Sequence, residues 1–157
     1  MQTKTRLHKT PQVRFRQDAH RFRLQEANPS HSHLAMEPIS LDNLIAYQKA
    51  VLFAGKTIKL TRHSGLRDHG WICDQIRRAA LSVPSNLAEG YERRCGKDTS
   101  RFYRISLGSC AEVRAQLKVA IVSELVHAHE VESTINDATE VIRLISGILR
   151  AREKATN

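Results

Sequence analysis

Several things this chain lacks narrow its class. No uninterrupted apolar run approaches the roughly 20 residues that a membrane span requires, and the N-terminus lacks the apolar core of a secretory signal. Four prolines and seven glycines are too few for the many turns of a sandwich of short strands. Aromatic residues make up 5%, so a core has to be aliphatic and rich in small side chains, as helical bundles allow. The three cysteines, Cys73, Cys95 and Cys110, are odd in number and contain no CxxC pair. That argues against a disulfide framework and for reduced thiols in a cytoplasmic, soluble protein. Acidic residues are also short, 16 against 25 Lys+Arg, which leaves a net charge of +9 and a pI near 9.9. Such a balance favours a polyanion, either nucleic acid or an anionic membrane surface.

Catalytic and metal-binding patterns are equally sparse. Gly90 and Gly96 do not make a phosphate-cradling glycine loop. Ser109-Cys110 lacks a nucleophile elbow and a recognisable general base. His69 and Cys73 are four apart, yet a zinc site needs three or four ligands. His127 and His129 fall in a turn and read as solvated. Glu89 with Glu112, or Glu124 beyond them, offers paired carboxylates for acid/base work. The favoured reading of Glu89 and Glu112 is structural, with Arg77, Arg78 and Asn86 as partners, because buried charges survive when paired. No catalytic residue, metal or cofactor is expected.

What the chain does have is helical periodicity, centred on Gln75 to Gly90. There Ile76, Ala79, Ala80, Val83 and Leu87 recur at steps of three and four. Ser82, Ser85, Asn86 and Glu89 form a polar band on the same rod. Pro84 removes a backbone donor inside the pattern and predicts a kink. Gly90 is placed to cap or bend the end. This second helix spans about Trp71 to Arg93.

A first helix is predicted from Ser40, an N-cap residue, to about Arg62. Its stripe reads Leu41, Leu44, Ile45, Leu52, Gly55 and Ile58, with Gly55 suggesting a close crossing and Lys49, Lys56 and Lys59 facing outward. A loop follows from His63 to Gly70. Past a short basic link, Arg94 to Lys97, the third helix is capped by Asp98 or Thr99 and runs to about Val126. Phe102, Ile105, Ser109, Val113, Leu117, Ala120, Ile121 and Leu125 form its seam. The fourth helix, about Glu130 to Arg152, carries Val131, Ile135, Ala138, Ile142, Ile145 and Leu149. The fold expected is all-α: an antiparallel up-down-up-down four-helix bundle over residues 39–153.

Residues 1–38 read as a disordered basic tail. The first 35 hold seven Lys and Arg against Asp18 and Glu26, with too few apolar residues to offset the entropy of ordering. Three readings stand for it: a nucleic-acid-binding arm, a transit peptide by composition, or a stretch upstream of the true start at Met36. The last is slightly favoured, since initiation at Met36 leaves 122 residues and a net charge of +4.

Two blocks carry a resemblance. The first is Gln75 to Gly90, with Gln75, Ser82, Pro84, Asn86, Glu89 and Gly90 in place. The second is Arg101-Phe102-Tyr103-Arg104-Ile105-Ser106-Leu107-Gly108-Ser109-Cys110-Ala111-Glu112-Val113, which includes Ser109 and Glu112. In order and separation they resemble the bacterial four-helix-bundle family of 23S rRNA intervening-sequence proteins, related to accessory proteins of diversity-generating retroelements. The likeness spans roughly Leu41 to Arg150. It implies self-association, since related accessory proteins form pentameric barrels with a basic surface, and a reverse transcriptase or another RNA-binding protein as a further partner. The long basic N-terminus and the three cysteines depart from the family pattern.

The remaining functional signal is basic. Between Trp71 and Lys118 stand nine Lys and Arg against five acids. Arg93, Arg94, Lys97, Arg101 and Arg104 gather at one end of the second and third helices, with Arg77 and Arg78 further along. Tyr91, Phe102 and Tyr103 are interleaved with them, and arginines with aromatics can grip phosphate and stack on unpaired bases. Structured RNA bound through this corner, by a non-enzymatic protein, is the first expectation. The alternative is a homo-oligomeric scaffold that docks an acidic protein.

Overall fold

The computed structural model describes residues 40–63, 65–93 and 97–156. The tail proposed for residues 1–38, the side chain of Lys97, and Arg94, Cys95 and Gly96 lie outside the described residues. Four helices make up the fold: α1 (Ile45–His63), α2 (Gly70–Glu92), α3 (Lys97–Val122) and α4 (Ala128–Thr156). Short 3-10 turns at Leu41–Asn43 and Gly65–Asp68 precede α1 and α2, and no strand occurs among the described residues. Each helix packs on its neighbours in the chain, and α4 closes back onto α1. This is the antiparallel bundle expected.

The central stripe behaves as its spacing demands. Ile76, Ala79, Ala80, Val83 and Leu87 are all buried, and on α4 so are Val131, Ala138, Ile145 and Leu149. The stripe of α1 is a correction. Its buried face is Ala46, Ala50, Phe53, Ala54, Thr57 and Thr61, whereas Ile45 and Leu52 are exposed, Leu52 by 57%. Thr57 and Thr61 enter the core because each hydroxyl donates to a carbonyl of its own helix, Phe53 O and Ile58 O, at 2.8 Å, which satisfies the buried group locally. Gly55 makes no close crossing; it is exposed, and a Cβ there would meet nothing within 4 Å.

The seam of α3 also turns relative to expectation. Tyr103, Ser106 and Cys110 face inward, along with Val113, Leu117 and Ala120, while Ile105 is 39% exposed. The helix begins at Lys97, so Asp98 and Thr99 sit within its first turn rather than capping it. It ends at Val122, four residues early. Glu124 adopts φ 58°, Leu125 N–H donates to Ala120 O (2.9 Å) and Glu124 N–H to Ile121 O (3.0 Å). Those paired bonds form a Schellman stop. His127 N–H then donates to Glu130 Oε2 (2.8 Å), half of a capping box that starts α4 two residues before the expected position. At its other end α4 runs past Arg152 to Thr156.

In the Gln75–Gly90 block Pro84 stays inside the helix as expected, and Gly90 changes meaning. α2 continues through Pro84 as one helix. The missing proline N–H removes the helical donor to Ala80 O, and the next two carbonyls each take a side-chain donor: Ser85 Oγ donates to Leu81 O (2.9 Å) and Asn86 Nδ2 to Ser82 O (2.8 Å). Gly90 neither caps nor bends the helix. It is buried inside it, where a Cβ would stand 2.7 Å from Tyr103 Cε1. The glycine exists to admit the tyrosine ring.

Candidate nucleic-acid interface

Hydrogen bonds within α2 and from α2 to α3 absorb the polar band. The Ser82 and Ser109 hydroxyls share a 2.8 Å hydrogen bond, Asn86 Nδ2 donates to Ser82 Oγ (2.9 Å), and Ser106 Oγ donates to the buried Val83 O (2.8 Å). Side chains this small let the two backbones approach, and each polar group finds a partner, as burial requires. Ser82, Ser106 and Ser109 therefore hold two helices of one chain together, and Asn86 braces Ser82 from within α2. Glu89 takes Arg93 as its partner (2.7 Å), and Glu112 accepts from Gln116 Nε2 (2.9 Å). Neither turns to Arg77 or Arg78. Gln75 is exposed.

The seven basic residues named from sequence do not form one patch. Arg77 belongs to the opposite end of α2 from Arg93. Its Nε donates to Thr61 Oγ1 (2.8 Å) and it pairs with Asp74 (3.3 Å), which ties α2 to the last turn of α1. Arg78 is exposed, forms no ion pair among the described residues, and sits mid-helix. Arg93 bridges Glu89 and, at 3.8 Å, Asp98, with its guanidinium 4.7 Å over the Phe102 ring. Arg104 pairs with Glu153 of α4 (2.9 Å). Of the three described at this end, Arg93, Arg101 and Arg104, Arg101 alone forms no ion pair among the described residues.

That Arg104–Glu153 bridge places α4's last turns beside the start of α3, which sequence spacing had no means of showing. Arg150 and Lys154 join the same end, both exposed and without ion-pair partners among the described residues. Three unneutralised cations from two helices thus stand within about a turn of one bridge. Two of the three interleaved aromatics do not serve as the expectation requires. Tyr103 is 5% exposed and belongs to the core, and Phe102 is half-buried beneath Arg93. Neither offers an open ring to a base. Burial raises the Tyr103 hydroxyl above its ordinary pKa, partly offset by the nearby Arg152 charge.

The thiols are structural. Cys73 Sγ donates to Leu66 O (2.9 Å) and fastens the α1–α2 connection to α2; burial pushes its pKa up. Cys110 Sγ donates to Ala138 O (3.3 Å), and burial pushes its pKa to about 12. Among the described residues no group of three His, Cys, Asp or Glu is arranged to hold a metal. The His127 and His129 rings stack at 5.6 Å on the exposed surface of the other end. No helix among the described residues is long and apolar enough to cross a membrane.

The comparisons with known proteins agree with the four-helix fold. The sequence profile of the 23S rRNA-intervening sequence protein family matches residues 42–147, from the 3-10 turn before α1 to the later part of α4. A solved structure, a protein with unknown function from the S23 ribosomal protein family of Bacteroides thetaiotaomicron, superposes with a TM-score of 0.61. It is 24% identical, covering 67% of this chain and 98% of its own, a likeness of fold. No curated protein matches.

Proposed function

Because this chain belongs to the 23S rRNA-intervening sequence protein family, we propose that it is a non-enzymatic, cytoplasmic bundle that binds structured RNA through the end where α3 begins and α4 finishes. The observation that carries this reading is the unpaired trio Arg101, Arg150 and Lys154. Each is exposed, none forms an ion pair among the described residues, and each lies within three residues of the bridge that joins α3 to α4. Cations held this way neutralise phosphates and release counterions. With Tyr103 in the core and Phe102 beneath Arg93, contact is to the phosphate backbone and is read by shape rather than by base stacking.

The test is fluorescence anisotropy with a labelled RNA hairpin across a salt series. Affinity is expected to fall steeply with salt, and the triple reversal R101E/R150E/K154E to weaken it by about tenfold or more at an unchanged melting temperature. Equal affinity in the triple variant rejects the site. A second reading, a self-associating scaffold whose basic end docks an acidic protein, is favoured by exposed apolar side chains on the outer face of α2 and α3. Weak, salt-insensitive RNA retention alongside a stable oligomer would select it.

A further inference from the structure

Where α1 and α4 run side by side, α1 supplies a basic wall and α4 an acidic one. Lys49 pairs with Glu140 at 3.2 Å and Lys56 with Asp137 at 2.5 Å. The two lysines are separated by about 10 Å of rise along α1, the two carboxylates by about 4.5 Å along α4. The lysine side chains therefore lean toward each other, with Leu52 between them in the sequence of α1. Beneath this arch a groove of about 320 Å³ opens between the helices, lined by those four charged side chains together with Leu52, Phe53 and Val141. Phe53 and Val141 belong to the core, whereas Leu52 is left exposed.

The volume suits a small molecule: ligand sites start at roughly 300 Å³ and set a few polar groups around an apolar lining. Here the polar groups come in both signs. A ligand with a single charge takes one member of a bridge and strands the other. A ligand that carries both charges exchanges into the bridge instead. Its carboxylate accepts from the lysine, its ammonium donates to the carboxylate that the lysine leaves, and no charge is stranded. The exchange costs little, because the bridging side chains are 38–45% exposed and exposed ion pairs contribute little stability. The gain is apolar surface removed from water, that of Leu52 and that of the ligand.

We propose that the α1–α4 groove binds a zwitterionic α-amino acid with an apolar side chain. Its carboxylate is held by Lys49 or Lys56, its ammonium by Glu140 or Asp137, and its side chain lies on Leu52 and Phe53. The site stands in the middle of the bundle and is independent of the RNA contact proposed for its end.

Nuclear magnetic resonance titration of the labelled full-length chain tests it, with three probes that share a phenyl body. L-phenylalanine carries both charges, phenylpropionate the carboxylate alone and phenylethylamine the ammonium alone. L-phenylalanine is expected to shift the backbone amides of α1 around Leu52 and of α4 around Asp137, to saturate, and to bind about tenfold or more tightly than either single-charge probe. Leu52→Glu, at an exposed position, should abolish those shifts at an unchanged melting temperature. Glu140→Gln should weaken L-phenylalanine and leave phenylpropionate no weaker. The proposal is overturned if L-phenylalanine gives no saturable shift at these amides, if a single-charge probe binds as tightly, or if both variants bind it as the native protein does. None of these outcomes bears on RNA affinity, which the reversal of Arg101, Arg150 and Lys154 reads separately.

Discussion

Gly55 and Gly90 show how one residue type takes opposite roles. Glycine in a helix interior costs about 1 kcal/mol against alanine, so Gly55→Ala, on an open surface, should stabilise the protein by about that amount. Gly90→Ala places its methyl against the buried Tyr103 ring. Overpacking costs about 1–3 kcal/mol, enough to reverse the sign. Urea midpoints of the two variants are expected to move in opposite directions. If both rise, the contact at Gly90 is softer than its geometry implies.

Cys110 carries a pH dependence of definite sign. Its thiol stays protonated in the fold to a pKa of about 12, against 9.0 when free. Below pH 9 both states hold the proton and nothing changes. Above it the unfolded chain loses the proton first, so stability falls by about 1.4 kcal/mol per pH unit through this group until the folded thiol also titrates. Cys110→Ala is expected to show a smaller loss of stability between pH 8 and pH 10.5 than the native protein. Equal losses would mean the thiol titrates freely.

At the scale of the helix, starts and stops are set by local chemistry that periodicity does not register. α3 stops where Glu124 turns left-handed, and the non-glycine side chain hid that signal. α4 starts at a capping box with one half missing: Glu130 reaches back to the His127 N–H, but His127 supplies no hydroxyl or carboxylate at the N-cap position. His127→Ser completes the box and should raise stability by about 0.5–1 kcal/mol, measured by thermal melting. A lower melting temperature would show that the His127–His129 stack contributes more than the missing cap. The same scale explains α2, where sequence reading foresaw a helix through Pro84 but not the side-chain donors to Leu81 O and Ser82 O beside it.

Across the bundle, one core joins all four helices. Cys73 at the α1–α2 corner and Cys110 at the α3–α4 contact both belong to it. They should become reactive to a thiol reagent at the same urea concentration at which helical circular dichroism is lost, as for one cooperative unit. Earlier exposure of either thiol would divide the molecule into separately stable halves.

Class, helix number and the family of this chain followed from its sequence, because hydrophobic spacing is a local property and the α2 stripe and the two blocks are contiguous in the chain. The order of the helices around the bundle followed too, since short links force neighbours to pack. Which face of α1 is buried did not, because Ala46, Ala50, Thr57 and Thr61 resemble a surface until their partners are known. Nor did the basic end. The pairs of Arg77 with Asp74 and Arg93 with Glu89 lie within one helix at steps of three and four and could be read from spacing. Pairing across helices depends on which side chains meet, so only the folded chain could bring Glu153 from the far end of the sequence to Arg104, and with it the last turns of α4 to the start of α3.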